Sequence, residues 1–172
     1  KFFKEVKKNK FTKIRVPKFD KSVDDRSSKN KWYKLSAKPD VIILEGWCVG
    51  SKPIDPNYLK KNINDLEKIG DSNLLWRTAY NKALVEYQKV FKRFSYFVFI
   101  KIPNWKFVID WKYKQELGLR SSNCNIHLKK KLYRFIQFYE KLSKWMYFTS
   151  PSDCNVLITL DKKQTTKKIT YK

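Results

Sequence analysis

Apolar residues along this chain fall into two kinds of spacing. Where they recur every third or fourth position they predict helices. Where about four to eight run together, bounded by Gly or Pro, they predict buried strands. Leu59, Ile63, Leu66 and Ile69 carry the helical spacing over residues 57–70, with Gly70 as a stop. Leu75, Ala79, Ala83, Val90, Phe91 and Phe94 mark a long amphipathic helix over 74–94. Helical patterns follow over 105–117 and 127–147, the second with Leu132, Phe135, Ile136, Tyr139 and Leu142 on one face. Three mostly apolar runs, 41–44, 96–102 (closed by Pro103) and 156–160, predict buried strands. Residues 12–16 alternate polar and apolar and stop at Pro17, a short extended segment. Residues 20–30 read as a polar loop and 31–37 as a helical turn.

Helices that alternate with short apolar strands predict the α/β class, a parallel sheet covered by helices on both faces. No internal repeat and no linker divides the 172 residues, so the pattern predicts one domain over 1–172.

Composition narrows the function classes. Hydrophobic residues make up 42% and aromatics 16%, which sets aside a disordered chain. No apolar run approaches the roughly 20 residues that span a bilayer, so no membrane partner is expected. Lys1-Phe2-Phe3-Lys4 leads into more lysine, without the apolar core of a signal peptide. Cys48, Cys124 and Cys154 form no CxxC pair, so neither zinc nor a disulfide framework is indicated and a reducing cytoplasm is the expected location. The 39 Lys and Arg against 16 Asp and Glu give a formal charge of +23. Only six of these cations are arginines, they are spread along the chain, and no nucleic-acid-reading motif accompanies them. The excess therefore reads first as compositional bias on a solvated surface, with a polyanion-binding patch as the alternative.

The stretch DVIILEGWCVGSKP, residues 40–53, carries the candidate chemistry. Its apolar run ends in Glu45 and Gly46. In open α/β sheets, sites lie outside the carboxyl ends of strands. A carboxylate there can hold Mg²⁺ or take a proton, and Gly46 allows close approach of a ligand or an unusual backbone angle. An acid that merely caps a turn is the competing reading.

The same stretch resembles the second-motif segment of the P-loop kinases grouped with uridine kinase, phosphoribulokinase and pantothenate kinase, and within them the D-glycerate 3-kinase-like branch. Upstream, PKFDKSVDDRSSKNKW resembles that branch's Pro-x-Phe-Asp-Lys-(Ala/Ser)-x-Asp-Asp-Arg segment. Downstream, NDLEKIGDSNLLWRTAYNKALVEYQKVF resembles its Asn-x-Leu-Glu and Trp-Arg helix pair. IPNWKFVIDWKYKQELGLR and RFIQFYEKLSKWM resemble its Trp-Arg-x-x-Gln-Glu and Tyr-Glu-Arg-x-Thr-Arg segments. The five pieces occur in family order over residues 14–160.

Two departures qualify the resemblance. The phosphate loop, Gly-x-x-x-x-Gly-Lys-(Ser/Thr), is not in this sequence: its four glycines are Gly46, Gly50, Gly70 and Gly118. In the family that loop lies well before the Phe-Asp-Lys segment, whereas 18 residues precede Phe19 here and no Met opens them. The resemblance thus implies the carboxyl-terminal portion of a P-loop kinase-like domain, inactive by itself, with one sheet face or edge left uncovered. A natural short paralogue that lost ATP binding is the alternative. Secondly, Lys112, Lys141 and Lys144 stand where the family tends to have arginine, which keeps the charge but loses the bidentate fork.

What the resemblance implies is ATP-dependent phosphoryl transfer to a hydroxyl of a small acceptor, glycerate or a related acid, with Mg²⁺. Glu45 takes the Mg²⁺-linked or acceptor-orienting role. Asp20, Lys21 and Arg26 are candidates for acceptor binding, with Asp24 and Asp25 less clearly placed. Trp47 is a candidate wall of the acceptor pocket or a packing aromatic. Arg120 is a candidate lid residue over the phosphates or a plain helix-end cation. Arg77 is expected to pair with Glu67 or Asp71. Tyr139 and Phe135 are expected in the core, and His127 at the surface or as a cap. Cys48 lacks the partner histidine that thiol catalysis needs. A non-catalytic basic module of the same fold, binding a polyanion such as nucleic acid, is the alternative function, and nothing in the sequence fixes an oligomeric state.

Overall fold

The computed structural model describes residues 2–8, 10–120 and 126–172, with the side chains of 118–120, 126 and 127 outside that description. The chain divides into two units, Lys1–Leu44 and Glu45–Lys172.

The first unit opens with a short helix, α1 (Phe2–Val6). Strand β1 (Ile14–Val16) pairs antiparallel with β4 (Tyr33–Leu35), Ile14 opposite Leu35 and Val16 opposite Tyr33. Between them, β2 (Phe19–Asp20) and β3 (Asp25–Arg26) form a minimal hairpin. Its turn places Asp24 at φ 53°, a left-handed conformation that Asp tolerates better than most residues. The segment expected to be a polar loop is therefore this hairpin followed by a 3₁₀ turn at Lys29–Lys31. The expected helical turn at 31–37 is replaced by β4, whose backbone groups are satisfied across the ladder by β1.

Residues 41–44 depart most from expectation. They form no strand, and Val41 and Ile43 are 73% and 84% exposed. An apolar run becomes a buried strand only when a neighbouring ladder takes up its N–H and C=O groups, and no described strand pairs with this one.

The second unit holds the main sheet. Strand β5 (Val98–Lys101) pairs in parallel with β6 (Val156–Leu160), which pairs antiparallel with β7 (Thr166–Tyr171). The parallel pair stands where the apolar runs predicted it. The sheet is nevertheless mixed, because the turn after Leu160 returns the chain as β7. Asp161 builds that turn: its carboxylate accepts the backbone N–H groups of Lys163 (2.8 Å) and Thr165 (2.9 Å).

Helices α3 (Leu75–Phe91), α4 (Lys106–Arg120) and α5 (Ile126–Asp153) occupy the three long periodic segments. The predicted helix over 57–70 is broken into α2 (Pro56–Lys60) and a π-helical turn at Leu66–Gly70. Asp55 caps α2 by accepting from Asn57 and Tyr58, with Pro56 at its first turn. The break has a chemical cause. Lys141 of α5 donates to the carbonyls of Tyr58 and Lys61, and the Glu67 carboxylate accepts the Ile63 N–H at 3.0 Å. These side chains take over backbone groups that a continuing helix would have paired.

The sheet is not covered on both faces. Cross-strand partners share a face, so Val98 aligns with Val156 and Tyr171, and Ile100 with Ile158 and Ile169. On that face Val98 (47%), Ile100 (56%), Ile169 (47%) and Tyr171 (77%) are exposed. The buried apolar residues of this unit, among them Ile54, Leu59, Leu66, Leu84, Leu132, Ile136 and Met146, lie in the helical part and its connections.

Candidate functional site

Glu45 is the first residue of the second unit and precedes the turn at 47–50, so it does not stand at the end of a strand. Gly50 requires its glycine: φ is +83°, and a Cβ there would meet the Phe97 ring at 2.7 Å. Gly46 has no such angle; a Cβ there would instead meet Val49 Cγ2 at 2.9 Å. The turn presents Trp47 to α5. Its indole stacks on Tyr139 (5.0 Å between centroids, 14° between planes), and its Nε1–H donates to Ser143 Oγ at 2.8 Å. Tyr139 and Ser143 are one helical turn apart, so a single face of α5 fixes the ring. Trp105, just before α4, lies 6.5 Å from Trp47.

These aromatics wall a cleft of about 850 Å³ beyond the carboxyl end of β5. Phe99, Trp105, Trp111 and Tyr147 supply apolar surface, and Asn104, Gln115 and Ser143 supply polar atoms. Three lysines line it. Lys112 pairs with Glu116 at 3.1 Å and donates to Gln115 at 3.0 Å. Lys144 pairs with Glu140 at 2.7 Å, and Lys106 lies 5.5 Å from the centroid of the Phe107 ring. Lys112 and Lys144 are thus cations held beside carboxylates at the cleft wall.

A buried charged cluster ties α3 and α5 to the segment 58–71. Arg77 of α3, 1% exposed, donates from Nε to Asp71 Oδ2 at 2.8 Å and meets Glu67 Oε2 at 3.4 Å. Its remaining donors reach the carbonyls of Leu59, Glu67 and Asp71. Asp71 also accepts from the backbone N–H groups of Trp76 and Arg77, fixing the start of α3. Burial alone would raise the Asp71 carboxyl; the Arg77 guanidinium and those N–H donors overrule it and hold it below the ordinary carboxylate range. Lys141, also 1% exposed, completes the cluster at 3.2 Å from Glu67. Burial lowers its ammonium, opposed by attraction to Glu67. The expected pairing of Arg77 is therefore what the structure shows. Lys141 is a structural cation in the interior, which places it away from any phosphate.

The other sequence-predicted residues divide between the units. Glu45 is exposed, and among the described residues its carboxylate makes no ion pair. Trp47 does wall the cleft. Asp20, Lys21 and Arg26 lie on the β2–β3 hairpin of the first unit, where Lys21 and Arg26 are exposed. Asp20 accepts from the Ser22 hydroxyl (2.5 Å) and backbone N–H (3.0 Å), which lower its carboxyl pKa. Asp24 and Asp25 are exposed beside it. Arg120 ends α4, and its side chain and that of His127 lie outside the described residues. Tyr139 packs between Trp47 and Phe135. Phe135, expected in the core, is 42% exposed. Burial pushes the Cys48 thiol up to about 11, so it stays protonated at neutral pH. Sequence reasoning missed Trp105, Trp111, Ser143 and Gln164 as lining residues. The first three sit in the quoted motifs, but nothing in their spacing marks the face they occupy.

No known family profile matches the chain. Over 114 residues it is 28% identical to the uncharacterized kinase mug58 of Schizosaccharomyces pombe, covering 63% of this chain and 40% of that protein. Over 148 residues it is 24% identical to the chloroplastic D-glycerate 3-kinase of Arabidopsis thaliana, covering 81% of this chain and 30% of that one. The chain thus spans less than half the length of these curated relatives. Its fold matches the solved D-glycerate 3-kinase from Cryptococcus neoformans with a TM-score of 0.68 at 20% identity, over 93% of this chain and 60% of that one.

Proposed function

We propose, for a chain related to the glycerate-kinase-like P-loop kinases, that it carries the acceptor side of a kinase transferring a phosphoryl group from ATP to a hydroxyl of a small acid, D-glycerate or a close analogue. The observation that carries this reading is the cleft beyond the carboxyl end of β5, walled by Trp47 two residues after Glu45. That edge of an α/β sheet is where such chemistry is built.

In this reading each group has one task. Lys112 and Lys144 meet the acceptor carboxylate, leaving Glu116 and Glu140 as they do so. Trp47 excludes water from one wall. Glu45 accepts the proton of the attacking hydroxyl or holds Mg²⁺. A single exposed carboxylate suits Mg²⁺, which is commonly bound through one or two carboxylates plus substrate phosphates and water. Among the described residues no cluster of three ligating side chains offers a rival metal site. The ion, when bound, neutralises charge on the transferring phosphoryl group. Asp20, Lys21 and Arg26, in the first unit, are given no task at this cleft, and Arg120 keeps its motif-based assignment to a phosphate lid. The four glycines of this sequence make no phosphate loop, so turnover requires one to be supplied.

The test joins this chain to a phosphate-loop segment and follows ATP consumption with and without D-glycerate. The joined protein is expected to consume ATP only with acceptor, and the bare chain not at all. A joined protein that binds ATP yet phosphorylates neither D-glycerate nor other small hydroxy acids contradicts the proposal.

A further inference from the structure

A second cleft, of about 390 Å³, adjoins the first and shares Trp111, Gln115 and Gln164 with it. Its other lining residues are Lys114 of α4 and Lys162 and Lys163 of the β6–β7 turn. Among the described residues these three lysines have no carboxylate partner. Asp161 spends its carboxylate on the turn's own N–H groups, and Glu116 pairs with Lys112. The three are exposed lysines from two elements that line one cleft, where a multivalent anion can accept from more than one of them.

The turn is also strained where it matters. Gln164, which faces both clefts, sits at φ 65° without being glycine. A side chain held in that conformation at a cleft mouth points to a use for it. The first cleft, at about 850 Å³, is in the upper range for drug-sized ligands and exceeds what a three-carbon acid fills.

We infer that Lys114, Lys162 and Lys163 form a phosphate-binding subsite for a small molecule whose body lies in the larger cleft. As a statement about the acceptor this rests on the kinase reading; as a binding site it does not. Phosphate suits the position because it can accept from several ammonium groups and the Gln164 amide at once. The ligand is then a phosphorylated small acid or a nucleotide, two sources of one chemistry.

Pyrophosphate is titrated against this chain by calorimetry, without turnover, and compared with K162A/K163A and with K167A/K168A, which removes equal charge from β7 outside both clefts. Saturable binding that weakens about tenfold in K162A/K163A and less than twofold in K167A/K168A is expected. Lys114→Ala, on the other element, gives a second reading with the same expected loss. Titration of 2-phosphoglycerate and ATP then shows which source binds tighter. Equal loss in both double variants, or no saturation, means diffuse charge and overturns the subsite. An oligonucleotide with the same Lys162/Lys163 dependence but tighter than pyrophosphate also overturns it, in favour of nucleic acid. Pyrophosphate binding without any kinase activity in the joined protein leaves the subsite standing and removes the kinase reading.

Discussion

Arg77 shows what a single residue does in this molecule. Its guanidinium is nearly inaccessible and satisfies two carboxylates and three carbonyls. Arginine suits this position because its donors are fixed in a planar fork. Truncation leaves Asp71 buried without its cation and Glu67 with Lys141 alone. Arg77→Ala is therefore expected to lose about 3–5 kcal/mol of stability in urea unfolding. Lys144→Ala, at a partly exposed pair with Glu140, is expected to lose no more than about 1 kcal/mol. Comparable losses would mean that the cluster does not hold the fold. The pairing was legible in sequence because Glu67, Asp71 and Arg77 fall within reach along one strongly periodic region. The burial of Lys141 was not, since its partners Tyr58 and Lys61 lie some 80 residues away.

At the scale of elements, the three long periodic segments came out as helices, whereas the one over 57–70 is broken by the side chains of Lys141 and Glu67. Strand β6 has the bounds its apolar run predicted, and α3, α4 and α5 fill their periodic segments. The failures share a cause. Residues 41–44 and 31–37 were read from local pattern, but a strand exists through its partners, and the pattern cannot name them. Strand β7 escaped notice because Thr166–Tyr171, TKKITY, is mostly polar and is held by pairing with β6. On one sheet face the exposed residues Val98, Ile100, Ile169 and Tyr171 are apolar or aromatic. The chain is therefore expected to self-associate with rising concentration despite its charge, as read by analytical ultracentrifugation. Placing lysine at both Ile169 and Tyr171 should suppress this. A monodisperse wild-type monomer would contradict the reading of that face as unsatisfied surface.

At the scale of the molecule, the net charge of +23 says less than where the cations stand. Some are structural (Arg77, Lys141), some line the large cleft beside carboxylates (Lys112, Lys144), and some line the small one unpaired (Lys114, Lys162, Lys163). The kinase relation was legible because five motifs stand in order. The cleft was not, because its walls come from segments separated by more than a hundred residues, Trp47 and Gln164 at the extremes.

The central proposal is that Glu45, two residues before the cleft wall Trp47 and not itself among the lining residues, serves phosphoryl transfer and is not an acid that caps a turn. The most direct measurement is the turnover of Glu45→Gln in the protein joined to a phosphate loop, beside Asp65→Asn as control. Glutamine keeps the size and hydrogen bonding of Glu45 and removes the charge. Asp65 is exposed and makes no capping hydrogen bond at the π-helical turn. The account predicts a loss on the order of 10²-fold in kcat for Glu45→Gln, with ATP binding little changed and Asp65→Asn near neutral. Retention of more than about half the activity by Glu45→Gln would contradict it.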